Sequence, residues 1–269
     1  MVFCKKKKKK KMGLDHNWLF ARCLVVVVMV AILTAVETFF PSMCQCDDSL
    51  LETSCSGSKL DSVPILLNPS FAGLASPTVL DISANRLTRL TDDLFAELPS
   101  LFTLILSGNK IQTVASGAFN SPRKRHTLRL EDNNLGNVPT AALVPLAAVL
   151  RSLYLQKNLI ETLEDGAFRH FARLRLLALN DNAIDRVDPL AFDSLVSLDA
   201  LDLSNNRLDG PIEAFTTVSP LTHLDLSGNM WRHLPANFLS GLLRLQTLIV
   251  FSQDAATITN GSVVSIIAS

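Results

Sequence analysis

Five histidines, at 16, 126, 170, 223 and 233, are the side chains best suited to proton transfer near neutral pH, but no two are close in sequence. No G-x-S-x-G nucleophile elbow and no glycine-rich phosphate loop accompanies them. Cys44, Cys46 and Cys55 are the densest group of metal-capable residues, yet no histidine lies near them to complete a zinc set. The thiols therefore point to disulfide chemistry. No cofactor is implied, and an enzyme is not expected. What remains is recognition chemistry, for which Tyr154, the only tyrosine, and Arg129 are the side chains of the type found at interface centres.

The elements that must hold these residues are visible as a repeat. Asn recurs at 85, 109, 133, 158, 182, 206 and 229, with steps of 24, 24, 25, 24, 24 and 23, and Gln253 continues the series. Around each Asn stands one frame, as in Leu104-x-Leu106-x-x-Asn109-x-Ile111 and Leu153-x-Leu155-x-x-Asn158-x-Ile160. Phe follows nine or ten residues later, at 95, 119, 168, 192, 215 and 238, with Leu143 standing in once. Alternation of Leu across one residue predicts a short strand with two side chains turned inward. The Asn predicts a sharp turn after it, with its amide bonded to backbone groups there. One such unit cannot bury its own apolar face, so successive units must stack.

The frame resembles the leucine-rich-repeat family and covers residues 77–253. The resemblance implies an α/β repeat, a horseshoe solenoid with a parallel concave β-sheet and an irregular or short helical convex side carrying the Phe column. Arg125 stands where one repeat should have its first Leu, inside the cluster Arg123-Lys124-Arg125, which reads as a solvated loop in preference to a processing site.

Residues 40–76 resemble the family's cysteine-rich N-terminal cap, although Phe40 occupies its first cysteine position. The family's pairing, carried over, joins Cys44 to Cys55. It leaves Cys46 either free or paired with another chain. Cys23 is a poor partner because it lies in a targeting segment: Leu24 to Val36 is apolar except for Thr34, preceded by Arg22, and shorter than the roughly 20 residues of a spanning helix. Residues 1–36 thus read as a signal peptide, with an uncleaved signal anchor as the alternative. Lys5–Lys11 has the look of an upstream artefact, with Met12 as an alternative start. Signal and cap together place the domain in an oxidising compartment, secreted or at the cell surface. Asn260-Gly261-Ser262 is a glycosylation sequon in keeping with that. Residues 254–269 read as a truncated repeat or tail, with the apolar end of Leu248–Phe251 uncovered, which points to a longer protein.

Formal charge is zero over the chain, but residues 1–36 carry eight basic residues against Asp15 alone, which leaves 17 basic and 24 acidic residues after them. A body about seven charges negative is a poor match for nucleic acid. Another protein is the expected partner, a second copy of the chain included. Membrane contact is expected only through the N-terminal anchor or a C-terminal helix beyond the sequence.

The residue between the two Leu of each strand should face out from the concave sheet, and its neighbours two places away should flank it. The candidate protein-binding residues are accordingly Arg129, Glu131, Tyr154, Gln156, Asn180, Asp202, His223 and Asp225. Replacing Tyr154 and Arg129 with Ala is expected to weaken partner binding with little change in thermal stability. The resemblance is to ectodomains of the connectin, capricious and tartan kind and, more distantly, of Toll receptors, which implies adhesion, guidance or pattern recognition. A small secreted matrix or immune protein is the alternative. An intracellular enzyme inhibitor of the ribonuclease-inhibitor kind would have longer alternating repeats and no signal sequence.

Overall fold

A computed structural model describes residues 44–47, 52–63, 77–96, 98–120, 125–210, 212–216, 220–231 and 241–250. The targeting segment, Gln253 and Asn260 lie outside the described residues.

Each L-x-L segment forms one three-residue strand: Val79–Asp81, Thr103–Ile105, Thr127–Arg129, Ser152–Tyr154, Leu176–Ala178, Ala200–Asp202, His223–Asp225 and Thr247–Ile249. Neighbouring strands pair in parallel with equivalent positions opposite, so that Arg129 stands beside Tyr154 and Asp202 beside Asp225. Such strands are too short to be stable alone, and each is held by the repeats on either side. The carbonyls of Thr78, Phe102, His126, Arg151, Arg175, Asp199 and Thr222 each accept two consecutive N–H groups from the next repeat, which fixes the stacking at the strand entry. The expected parallel sheet is thus present.

The cap is joined to that sheet. Gln45–Asp47 and Glu52–Ser54 form an antiparallel pair, and Glu52–Ser54 pairs in parallel with Val79–Asp81. Cys44 and Cys55, both buried, are joined in a disulfide across this hairpin, as the family pattern implied. Cys46 takes the middle of the first cap strand, opposite Thr53. Its side chain lies outside the described residues. Closing a loop of 11 residues restricts the unfolded chain by about 3 kcal/mol. Cys44→Ser with Cys55→Ser is therefore expected to lower unfolding free energy by about 3 kcal/mol, read by urea titration, and reductant should reproduce the loss on the wild-type chain.

Opposite the sheet the chain runs through turns, with short helical pieces at Thr140–Leu143, Val144–Leu146 and Glu213–Thr216, and two-residue parallel strands at Arg89–Leu90 with Thr113–Val114 and Thr162–Leu163 with Arg186–Val187. Between the two sides lies one continuous core of Leu, Ile and Phe. Phe95 stacks on Phe119, and Phe168, Phe192 and Phe215 stack in series at 6.1 and 6.2 Å. Leu143 fills the same layer where Phe is missing. Leu248 and Val250 are 3% and 5% exposed, and Phe251 lies outside the described residues.

Two findings correct the sequence reading. Arg125 is no solvated loop residue: it is 1% exposed, because the frame gives its position to the core. Its guanidinium lies 5.5 Å from the Phe95 ring centroid and 5.7 Å from that of Phe119. Burial pulls its pKa down to about 10. Glu131, expected on an open flank, is 8% exposed, because Arg129 lies against it.

Candidate binding face and family membership

The outward positions of the sheet form columns one strand apart, about 4.8 Å. The central column runs Asp81, Ile105, Arg129, Tyr154, Ala178, Asp202, Asp225 and Ile249. All are half-buried except Ala178, which its neighbours cover. A column of short strands keeps these side chains in fixed register, since a slip would turn the Leu pairs out of the core.

Near the middle of this face, Arg129 donates from Nε to Glu131 Oε1 at 2.7 Å, and Nη2 pairs with the same oxygen. The guanidinium lies 5.2 Å from the Tyr154 ring centroid. The bond to Glu131 raises the pKa of Arg129 against the opposing effect of burial. Tyr154 is therefore backed by a cation that is itself clamped, an arrangement that holds the ring in one place. It also gives Arg129 a second role. Removing it strips buried Glu131 of its only cation among the described residues, so Arg129→Ala carries a stability cost that Tyr154→Ala does not.

Glu131 Oε2 and Gln156 Oε1 are buried acceptors with no donor among the described residues. Beyond Tyr154 the face dips into a depression of about 480 Å³, lined by Gln156, Asn180, Asp202, His223 and Asp225 among others. Seven of the eight binding residues expected from the sequence flank or line this stretch with their side chains outward; Glu131 is the one that does not. Leu176 and Ala200, which the strand alternation places in an outward flanking column but which are not among the candidate binding residues, also line the depression. Their small size or apolarity at outward positions was the available signal.

Asp202 has its pKa raised, first by burial and then by Asp225 and Asp181, against lowering bonds from Ser204. No group of three or more His, Cys, Asp or Glu that could hold a metal occurs among the described residues. Nor is any helix there long and apolar enough to cross a membrane.

Mouse podocan-like protein 1 is 33% identical over 162 residues, covering 59% of this chain and 28% of its own length. Human epiphycan is 26% identical over 168 residues, covering 48% and 51%. The chain thus spans about half or less of the length of these relatives. The crystal structure of human 5T4, also titled Wnt-activated inhibitory factor 1 and trophoblast glycoprotein, superposes with a TM-score of 0.66 at 27% identity, covering 79% of this chain and 80% of that one. These relatives are secreted, matrix or cell-surface repeat proteins and not enzymes. The leucine-rich-repeat model matches residues 70–147 and 148–208, and with the Asn frame, the parallel sheet and the stacked Phe layer it establishes that the chain belongs to the leucine-rich-repeat family.

Proposed function

We propose that the chain is an extracellular ectodomain that binds another protein on the concave face of its sheet, in adhesion, recognition or receptor signalling. The observation that carries this reading is Tyr154, held outward at the middle of a rigid parallel sheet by the Arg129–Glu131 pair. A fixed aromatic ring loses little freedom on binding, which is why such residues dominate interface energetics. The Cys44–Cys55 bond suits an oxidising compartment. Its relatives are secreted, matrix or cell-surface proteins, which supports secretion or surface display. Similarity to podocan-like protein 1 and epiphycan favours, as a second reading, a secreted matrix component that uses the same face.

The test is a screen of the full chain against arrayed extracellular proteins, repeated with Tyr154→Ala. A cognate partner should lose about ten-fold or more in affinity while the variant melts close to wild type. A partner bound equally well by both chains would place the interface elsewhere. Unfolding of the variant would assign Tyr154 to the scaffold.

A further inference from the structure

The depression beyond Tyr154 has a chemistry more particular than a general docking face. Its floor is apolar, made by Leu176, Ala178 and Ala200 on adjacent strands. Its far side carries Asp202 and Asp225, directly opposite one another in the parallel ladder. In each carboxylate one oxygen is occupied. Asp202 Oδ1 accepts from the N–H and Oγ of Ser204 at 2.9 and 2.7 Å, and Asp225 Oδ1 accepts from the N–H and Oγ of Ser227 at 2.9 and 2.6 Å. No donor among the described residues reaches the second oxygen of either. Those turn bonds fix the two carboxylates in place on neighbouring strands. Asp181 adds to the negative field at Asp202. Among the described residues lining it, only His223, exposed and engaged with Thr222, is able to carry positive charge. At the near end, beside Tyr154, Gln156 Oε1 is a buried acceptor with no donor among the described residues.

We infer that this depression receives a cationic side chain, arginine or lysine, projecting from the protein partner, with its aliphatic stem over Ala178 and Ala200 and its charged head between Asp202 and Asp225. Long basic side chains carry this division between apolar stem and charged head. An apolar floor ending in two carboxylates that repel one another is complementary to it in both shape and charge. Arg129 sits outside the depression and is turned to Glu131, so it does not neutralise the acids from within the chain. A wholly apolar partner segment would bury both carboxylates without a counter-ion. An acidic one would add to their repulsion. This inference rests on the concave face being the binding surface.

Random dodecapeptides displayed on phage and selected on the full chain test both, with removal of those that also bind Ala178→Arg/Ala200→Arg, in which the depression is filled. The expected survivors carry a basic residue at a fixed place. They should lose ten-fold or more in affinity for Asp202→Asn/Asp225→Asn, weaken as salt is raised, and bind Glu161→Gln/Asp193→Asn, altered away from the face, like wild type. The Asn variants keep the Oδ1 acceptor for Ser204 and Ser227, and circular dichroism should show an unchanged fold. Single Asp225→Asn serves if the double variant unfolds. Survivors without a basic residue, or indifferent to the Asn changes, overturn the cationic assignment and leave the concave face standing. If no peptide depends on the depression, the concave reading itself falls, and this inference with it.

Discussion

Asn133→Ala should destabilise the chain by about 3–5 kcal/mol, enough to collapse the central repeats under conditions where the wild type is folded. Asn133 is 5% exposed. Its Oδ1 accepts the N–H of Ile111 in the preceding repeat at 2.9 Å, and its Nδ2 reaches the carbonyls of Leu106, Leu130 and Glu131 at 3.0, 3.1 and 3.2 Å. The side chain thus closes its own turn and ties two repeats together. Alanine would leave the N–H of Ile111 buried without a partner, at about 1–3 kcal/mol, and would take one donor from each of three carbonyls that keep a second, from Asn109, Asn158 and Gly108. Asp keeps the acceptor but turns an oxygen on the carbonyls of Leu106, Leu130 and Glu131, so at neutral pH it should be no more stable than Ala. Chemical denaturation of the three chains gives the order directly. Equal stability of Asn133→Ala and wild type would mean that the ladder of asparagines is not what joins the repeats. The same bonds recur at Asn109, Asn158 and Asn206, so a repeat at any of these positions should respond alike.

Arg125→Leu should act in the opposite direction and stabilise the chain by about 1–4 kcal/mol. Nε and Nη1 of Arg125 have no hydrogen-bond partner, and no carboxylate pairs with the guanidinium among the described residues. Contact with the rings of Phe95 and Phe119 offsets part of the desolvation cost, since a cation over an aromatic face gains about 1–2 kcal/mol. Leu restores the residue that the frame demands and fits the volume with little strain. Burial lowers the pKa of Arg125 below its unfolded value, so its penalty is complete at neutral pH, where the unfolded chain holds the proton firmly. The penalty shrinks only as pH rises through about 10. The stabilisation from Arg125→Leu should therefore be constant from pH 6 to 8 in thermal melts. A loss of stability on this change would show that the guanidinium makes a contact worth more than the apolar packing.

Much of this was legible in the sequence because the repeat repeats. Seven Asn frames at nearly constant spacing define strand, turn and stacking at once, and the parallel ladder follows since each unit has only its neighbours to pack on. The outward column was legible for the same reason. Less visible was the second half of each Asn's bonding, which crosses to the preceding repeat. So was the left-handed backbone just before Asn, found at Ala84, Gly108, Asp132, Lys157, Asp181, Asn205 and Gly228. Two glycines and three Asx residues in that column were the signal. Where the reading failed, it treated charge as a proxy for exposure. Arg125 is buried because its frame position outranks its side chain, and Glu131 because its neighbour two residues earlier folds over it. The column placed Arg129 one repeat from Tyr154, but spacing alone does not reveal that its guanidinium turns to Glu131 within its own repeat while lying against the ring.

The most direct test of concave binding is hydroxyl-radical footprinting of the chain with and without a bound protein partner. Tyr154, His223 and Leu176 report on the sheet face, and Leu159, Leu190 and Val196, all exposed and outside the strands, report on the rest of the surface. Protection confined to the first three is the predicted result. Protection of Leu159, Leu190 or Val196 with Tyr154 still reactive would contradict it and move the binding surface off the sheet.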